Sequence, residues 1–248
     1  MFRFLRRASG GRPLKIVLAG ATHFGKHRDH NEDAFVVLPD QAAAVVADGM
    51  GGLARGEVAS KMVATVVSET LQKGNNASEG VLEAHRRIRD ASIAAGSERM
   101  GSTAVTLRIV GSEATVEWVG DSRAYLWRGG ALKQITKDHS FVEELIDAGA
   151  ITAAEAENHP NRNVLTRAVG IRDTLDLKVD SVKLPLQAGD RVLLCTDGLH
   201  GYLPQSAIVE CLKQGGDAAA IVQRLIERTL NETEAGDNVT AVCAAVEG

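Results

Sequence analysis

Apolar positions along the chain switch between two periods. Ile16 to Thr22, Ala34 to Leu38 and Ala42 to Ala47 are short runs rich in Val, Ile, Leu, Ala and Phe, bounded by Gly, Pro, Asn and Asp, and they predict three strands. From Gly56 the repeat lengthens to three and four residues through Val58, Met62, Thr65, Val66 and Glu69, predicting a helix to Gly74. A second helix spans about Glu79 to Ala95, with Val81, Leu82, Ile88, Ala91 and Ala95 inward. Strand patterns return at Thr103 to Val110, Thr115 to Val119, Arg123 to Trp127 and Leu132 to Ile135. Turn residues at Gly111-Ser112, Gly120-Asp121 and Gly129-Gly130 read as the joints of an antiparallel meander. Residues 138–170 break this rhythm with two short helical patterns, Phe141 to Ala148 and Thr152 to Asn158, and predict a small helical flap. Leu175 to Leu184 and Arg191 to Cys195 then read as strands, Gln205 to Lys213 and Asp217 to Leu230 as helices, and Asn238 to Val246 as a closing strand. Two strand blocks, each accompanied by a pair of amphipathic helices, predict an α+β fold: a four-layer α-β-β-α sandwich of two antiparallel sheets flanked by helices. A doubly wound α/β sheet would alternate single strands and helices, and neither a GxGxxG run nor a phosphate-loop lysine supports it.

Length narrows this to one domain, residues 15–248, with the flap inserted at about 138–170, because 248 residues are fewer than two average domains. At 44% hydrophobic and 24% charged, the chain has enough apolar surface for a packed core, which excludes disordered and fibrous classes. No apolar run approaches the ~18 residues of a membrane span and no secretory signal opens the chain, so a soluble, cytoplasmic protein is expected. Cys195, Cys211 and Cys243 are far apart and lie in apolar stretches, as buried reduced thiols do. Arg3, Arg6, Arg7, Arg12 and Lys15 place five positive charges and no acid in the first 15 residues, so the remainder carries −9 against the chain's −4. Residues 1–14 are expected to form a flexible basic tail. The acidic body argues against nucleic acid as a partner.

Asp/Gly dipeptides punctuate the sequence, among them Asp48-Gly49, Gly120-Asp121, Gly189-Asp190, Asp197-Gly198 and Gly236-Asp237, and three of these carboxylates adjoin apolar strands: Asp48 ends Ala-Val-Val-Ala, Asp197 ends Val-Leu-Leu-Cys-Thr, and Asp121 follows Val-Glu-Trp-Val-Gly. Gly189-Asp190 precedes its strand and reads as a turn. Crowding carboxylates beside an apolar core is costly, because like charges repel and each loses hydration. Cations offset that cost, and oxygen ligands with few His and no Cys among them favour Mg²⁺ or Mn²⁺ over Zn²⁺. Two such ions can make a bridging water acidic enough to attack phosphorus near neutral pH. Arg28, just before Asn31-Glu32-Asp33, is the cation suited to grip the phosphate oxygens.

Taken in order, Gly25 to Asp33, Val46 to Gly52 with Gly56 to Ser60, Gly101-Ser102-Thr103, Val119 to Arg123, Asp138-His139-Ser140, Asn163 to Ala168, Thr196 to Leu199 and Gly236 to Thr240 resemble the bacterial type 2C metal-dependent serine/threonine protein phosphatases. The resemblance runs from about residue 16 to 246. It implies hydrolysis of phosphoserine and phosphothreonine by direct attack of a metal-bridging water, in a monomer that acts on phosphoproteins and opposes a bacterial serine/threonine kinase. It further implies two Mn²⁺ or Mg²⁺ ions held by Asp33, Asp48, the Gly49 carbonyl, Asp197 and Asp237. Asp121 with Asp197 would take a third, weaker ion. Glu32 would act through a bound water, Arg28 would bind the phosphate, and Asn238 would support the substrate.

The match departs at three places: His23 stands where many relatives have Asp, Leu53 where they have His, and Met50 where relatives with a histidine after the Asp-Gly pair use it as a general acid. Protonation of the leaving group by a metal-bound water is the expected substitute. His23, His27 and His30 have a spacing that could hold zinc, but Gly25 and the strand-turn context disfavour it, leaving surface or supporting roles. His139 is expected to fix the base of the flap by hydrogen bonding; His85, His159 and His200 carry no signal. Two rivals are a catalytically silent phosphoprotein-binding module, which would have lost metal carboxylates, and a dinuclear phosphoesterase acting on nucleic acid or metabolites.

Overall fold

The computed structural model describes residues 14–50, 55–96, 99–171 and 177–248. Leu53, all but the last residue of the expected tail and the start of the strand expected from Leu175 lie outside them. The elements, in order, are β1 (Lys15–His23), β2 (Asp33–Leu38), β3 (Ala43–Met50), α1 (Gly56–Gln72), α2 (Ala77–Ala94), β4 (Gly101–Ser102), β5 (Ala104–Val110), β6 (Glu113–Val119), β7 (Arg123–Arg128) and β8 (Ala131–Gln134). The flap carries α3 (Phe141–Asp147) and α4 (Ala153–Glu157). The chain then continues through β9 (Asp180–Pro185), β10 (Arg191–Cys195), α5 (Asp197–His200), α6 (Gln205–Lys213), α7 (Ala218–Glu232) and β11 (Val239–Glu247).

Two antiparallel sheets pack face to face. One runs β1-β11-β10-β7-β8; the other runs β2-β3-β5-β6-β9, with β4 paired to β3. Alternation along β3 shows why four layers form: Ala44 and Val46 point between the sheets, whereas Val45 and Ala47 point to α1 and α2. On β11, Val242, Ala244 and Val246 fill the same interior, and Ala241, Cys243 and Ala245 pack against α6 and α7. The three cysteines are buried and unpaired.

Three expectations need correction. The meander breaks at Gly120-Asp121, because β6 and β7 belong to different sheets; this joint crosses between layers instead of closing a hairpin. The α1 stripe holds in part: Val66 is buried and Met62 packs against the core, but Val58 is 41% exposed and Thr65 and Glu69 face outward, while the inward face runs through Ala59, Val63, Val67 and Leu71. The small residues Ser60, Ala64 and Ser68 are buried on the same helix. The strand expected from Leu175 starts at Asp180.

Asp190, read as a turn residue, is a structural anchor. Its carboxylate is buried, takes Arg128 Nε at 2.8 Å through one oxygen, and accepts the Gln187 N–H at 2.8 Å through the other. Asp190→Ala strands the guanidinium and an amide, and is expected to cost about 2–4 kcal/mol, read as a lower urea midpoint at unchanged slope.

Candidate active site

The register of β2 against β3 sets Asp33 directly opposite Asp48 at one end of the six-stranded sheet. The five-stranded sheet brings Asp197, just after β10, and Asp237, just before β11, to the same end. The crossing between layers adds Asp121. One cavity of about 530 Å³ is lined by Arg28, Glu32, Asp48, Gly49, Asp121, Asp197, Asp237 and Asn238 among others. Asp33 lies beneath it, 5% exposed.

Threonine hydroxyls from the opposite sheet hold Asp33. Thr240 Oγ1 donates to its Oδ2 at 2.6 Å and Thr196 Oγ1 at 2.9 Å, while Asn31 Oδ1 accepts the Asp33 N–H at 3.0 Å. Thr103 accepts the Asp48 N–H at 2.9 Å and meets Ser122 at 2.7 Å, tying the Asp48 strand to the layer crossing. Thr103, Thr196 and Thr240 fall within the sequence blocks Gly101-Ser102-Thr103, Thr196 to Leu199 and Gly236 to Thr240, yet sequence reasoning assigns none of them a role in the site.

The carboxylates perturb one another. Burial pushes Asp33 up to about 7 against the two Thr hydrogen bonds, and burial with the charges of Asp197 and Asp138 pushes Asp121 up to about 8. Burial and neighbouring negative charge hold Asp48 well above the ordinary range and raise Asp197. The Asp33 Oδ1 and Asp197 Oδ1 atoms are buried without a hydrogen-bond partner. Among the described residues no three His, Cys, Asp or Glu side chains are drawn in to metal-ligating spacing, so the acids meet around an open cavity and not as a closed cage. Unpartnered carboxylate oxygens, all-oxygen donors and surplus negative charge nevertheless suit a hard divalent cation. Gly49 fits the same picture: its N–H donates to the Glu32 carbonyl, and a Cβ there would stand 2.2 Å from the Gly56 carbonyl oxygen.

Arg28 reaches across 209 positions to pair with Asp237 at 2.9 Å, and that carboxylate keeps it firmly protonated. Asn238 Oδ1 accepts the Glu32 N–H at 2.7 Å, and its Nδ2 donates to the carbonyls of Phe24 and His30 at 3.0 Å each. Both amide protons are engaged by the protein, so in this geometry Asn238, which also lines the cavity, fixes the Arg28 and Glu32 loop. His23 accepts the Gly25 N–H, His27 faces Glu234 and His30 faces Glu32, so the three do not converge as a zinc site would. His139 behaves as expected: Nδ1 accepts the Gly120 N–H at 3.0 Å and its carbonyl takes the Thr166 N–H. His85 and His200 also have structural tasks, accepting the Gly170 N–H and bonding the Asp121 carbonyl, respectively.

The chain resembles known proteins over most of its length. The family Protein phosphatase 2C matches residues 19–240. The serine/threonine phosphatase stp of Listeria monocytogenes is 34% identical over 235 residues, covering 89% of this chain and 92% of that protein. The serine/threonine protein phosphatase PstP of Mycobacterium tuberculosis is 38% identical over 244 residues, which are 94% of this chain and 45% of PstP. The crystal structure of the PstP catalytic domain in complex with two manganese ions superposes with a TM-score of 0.84 at 33% identity, covering 95% of this chain and all of that one. The chain belongs to the protein phosphatase 2C family and is a protein phosphatase of its bacterial type.

Proposed function

We propose that the chain hydrolyses phosphoserine and phosphothreonine in proteins by direct attack of water, acting as a cytoplasmic monomer opposite a bacterial serine/threonine kinase. The observation that carries this reading is the convergence of five carboxylates from both sheets on one cavity that also holds Arg28. Asp33, Asp48, the Gly49 carbonyl, Asp197 and Asp237 would hold two Mn²⁺ or Mg²⁺ ions, and Asp121 with Asp197 a third. Bound there, the cations supply a water of lowered pKa and neutralise phosphate charge. No cysteine, serine or histidine lines the cavity among the described residues, which supports water over a thiol or imidazole nucleophile and a bound water over an imidazole as acid. Glu32, anchored through its N–H by Asn238, faces the cavity where a proton must be moved. Arg28 presents its guanidinium to the phosphate and fixes its orientation.

Arg28→Ala is expected to lower kcat/KM about 10- to 100-fold, mainly through KM, with partial rescue by Arg28→Lys, which keeps the charge but loses the planar fork. The reading itself is tested with p-nitrophenyl phosphate and a phosphothreonine peptide, with and without Mn²⁺, for the intact chain and Asp197→Asn. Turnover that needs Mn²⁺ and is lost in the variant is expected; metal-independent turnover or an unaffected variant would contradict it.

A further inference from the structure

The cavity is larger than a phosphate needs, and besides the carboxylates and Arg28 its wall includes two cations, Arg167 and Lys178, together with the apolar Leu165, Ile171 and Leu177. Behind them Asp180 is the shared counter-ion: Lys178 Nζ lies 2.9 Å from its Oδ1, and Arg167 Nη1 lies 3.4 Å from its Oδ2. His139 Nε2 is also 3.1 Å from that Oδ2. Because His139 Nδ1 accepts the Gly120 N–H, the ring is neutral and adds no charge to the wall; its Nε2 lies between Asp180 Oδ2 and Arg167 Nη1, the latter 3.0 Å away. Among the described residues, one carboxylate on this wall therefore serves two permanent cations, Arg167 and Lys178. The Lys178 side chain is 74% exposed on a flexible stem, free to turn toward a bound anion. Apolar neighbours reduce screening along the wall.

Resting on the phosphoprotein reading above, we propose that the wall formed by Arg167 and Lys178 selects phosphopeptides with an anionic group beside the phosphorylated residue. With a phosphate bound by Arg28, flanking residues that occupy the rest of the cavity would meet Arg167 and Lys178, where a carboxylate or second phosphate is attracted and a lysine repelled. Arg167 is committed to the Lys178 carbonyl as well, so Lys178 is the adjustable partner.

The test is kcat/KM of the full chain with Mn²⁺ on phosphothreonine peptides flanked by Ala, Glu, Lys or a second phosphothreonine, at low and high salt, for the wild type, Lys178→Gln and Lys178→Glu. The wild type should favour Glu over Lys flanks about tenfold at low salt, and less at high salt. Lys178→Gln should shrink that ratio about threefold, the effect of one partly exposed ion pair, and Lys178→Glu should shrink it further. A second phosphate that outperforms Glu marks the wall as a phosphate reader; parity marks a carboxylate as sufficient, and either supports the proposal. Equal kcat/KM for all flanks with every peptide hydrolysed, or a ratio indifferent to both variants, overturns it and leaves the phosphatase reading standing. Failure to hydrolyse any peptide while p-nitrophenyl phosphate is turned over overturns both.

Discussion

Asp48→Asn should reduce metal-supported turnover by about a thousandfold or more while raising the melting temperature of the metal-free protein. Both effects come from the same carboxylate. Asp48 is enclosed beside Asp33, Asp197 and Asp121, and its proton is held well above the ordinary carboxyl range. In the unfolded chain it ionises near the usual carboxyl pKa, so above that pH the native state binds more protons than the unfolded state and stability falls as pH rises. With Asp33 raised to about 7 and Asp121 to about 8, the fall should extend from roughly pH 4 to pH 8. Each pH unit in which one such group is protonated only in the fold costs about 1.4 kcal/mol. Asn removes the titrating carboxylate and with it this cost. Melting curves with chelator at several pH values check the claim: the advantage of the variant should be present at pH 7.5 and vanish near pH 4. A variant less stable than the wild type at neutral pH would show that the cluster is not held under charge repulsion.

Gly198→Ala should damage the site through the backbone. A Cβ at Gly198 would lie 1.8 Å from the Asn238 carbonyl oxygen and 2.8 Å from its carbon, and main chain cannot swing aside as a side-chain tip can. Asn238 must retreat, pulling Asp237 with it and loosening the three hydrogen bonds that hold the loop from Phe24 to Glu32. An ångström of misplacement at reacting groups costs about a hundredfold in rate, and forced overpacking costs about 1–3 kcal/mol. Activity titrated against Mn²⁺ should show both a lower maximum and a weaker metal dependence, with a lower urea midpoint. Wild-type values for all three would mean that this close approach is not needed by the site.

The strands were legible because each buries at least one face, which writes dense Val, Ala and Leu runs into β3, β10 and β11. Carboxylates at their ends were legible for the same reason, since Asp48 and Asp197 interrupt runs that are otherwise apolar. Sheet membership was not. β1 pairs with β11 across more than 200 positions, and the Gly120-Asp121 joint has the composition of a hairpin turn whether the chain turns back or crosses layers. The helix α5, four residues long, is too short for any period to show. Partnerships between distant side chains were equally hidden: nothing local marks Thr240 as the donor to Asp33, or Asp237 as the partner of Arg28. Asn238 was identified, but its role depends on loops that only the fold brings within reach.

Because Asp33 and Asp48 ride on one sheet and Asp197 and Asp237 on the other, the filling between the layers acts as a ruler for the reacting centre. Ala44 and Ala244 are small, fully enclosed members of that filling. Enlarging either would spread the two halves like a wedge in a jaw, so an inactive but folded protein recovered from random mutagenesis could trace to a methyl-sized change well removed from any phosphate. Loss of function in this chain is therefore to be sought along the whole seam between its layers.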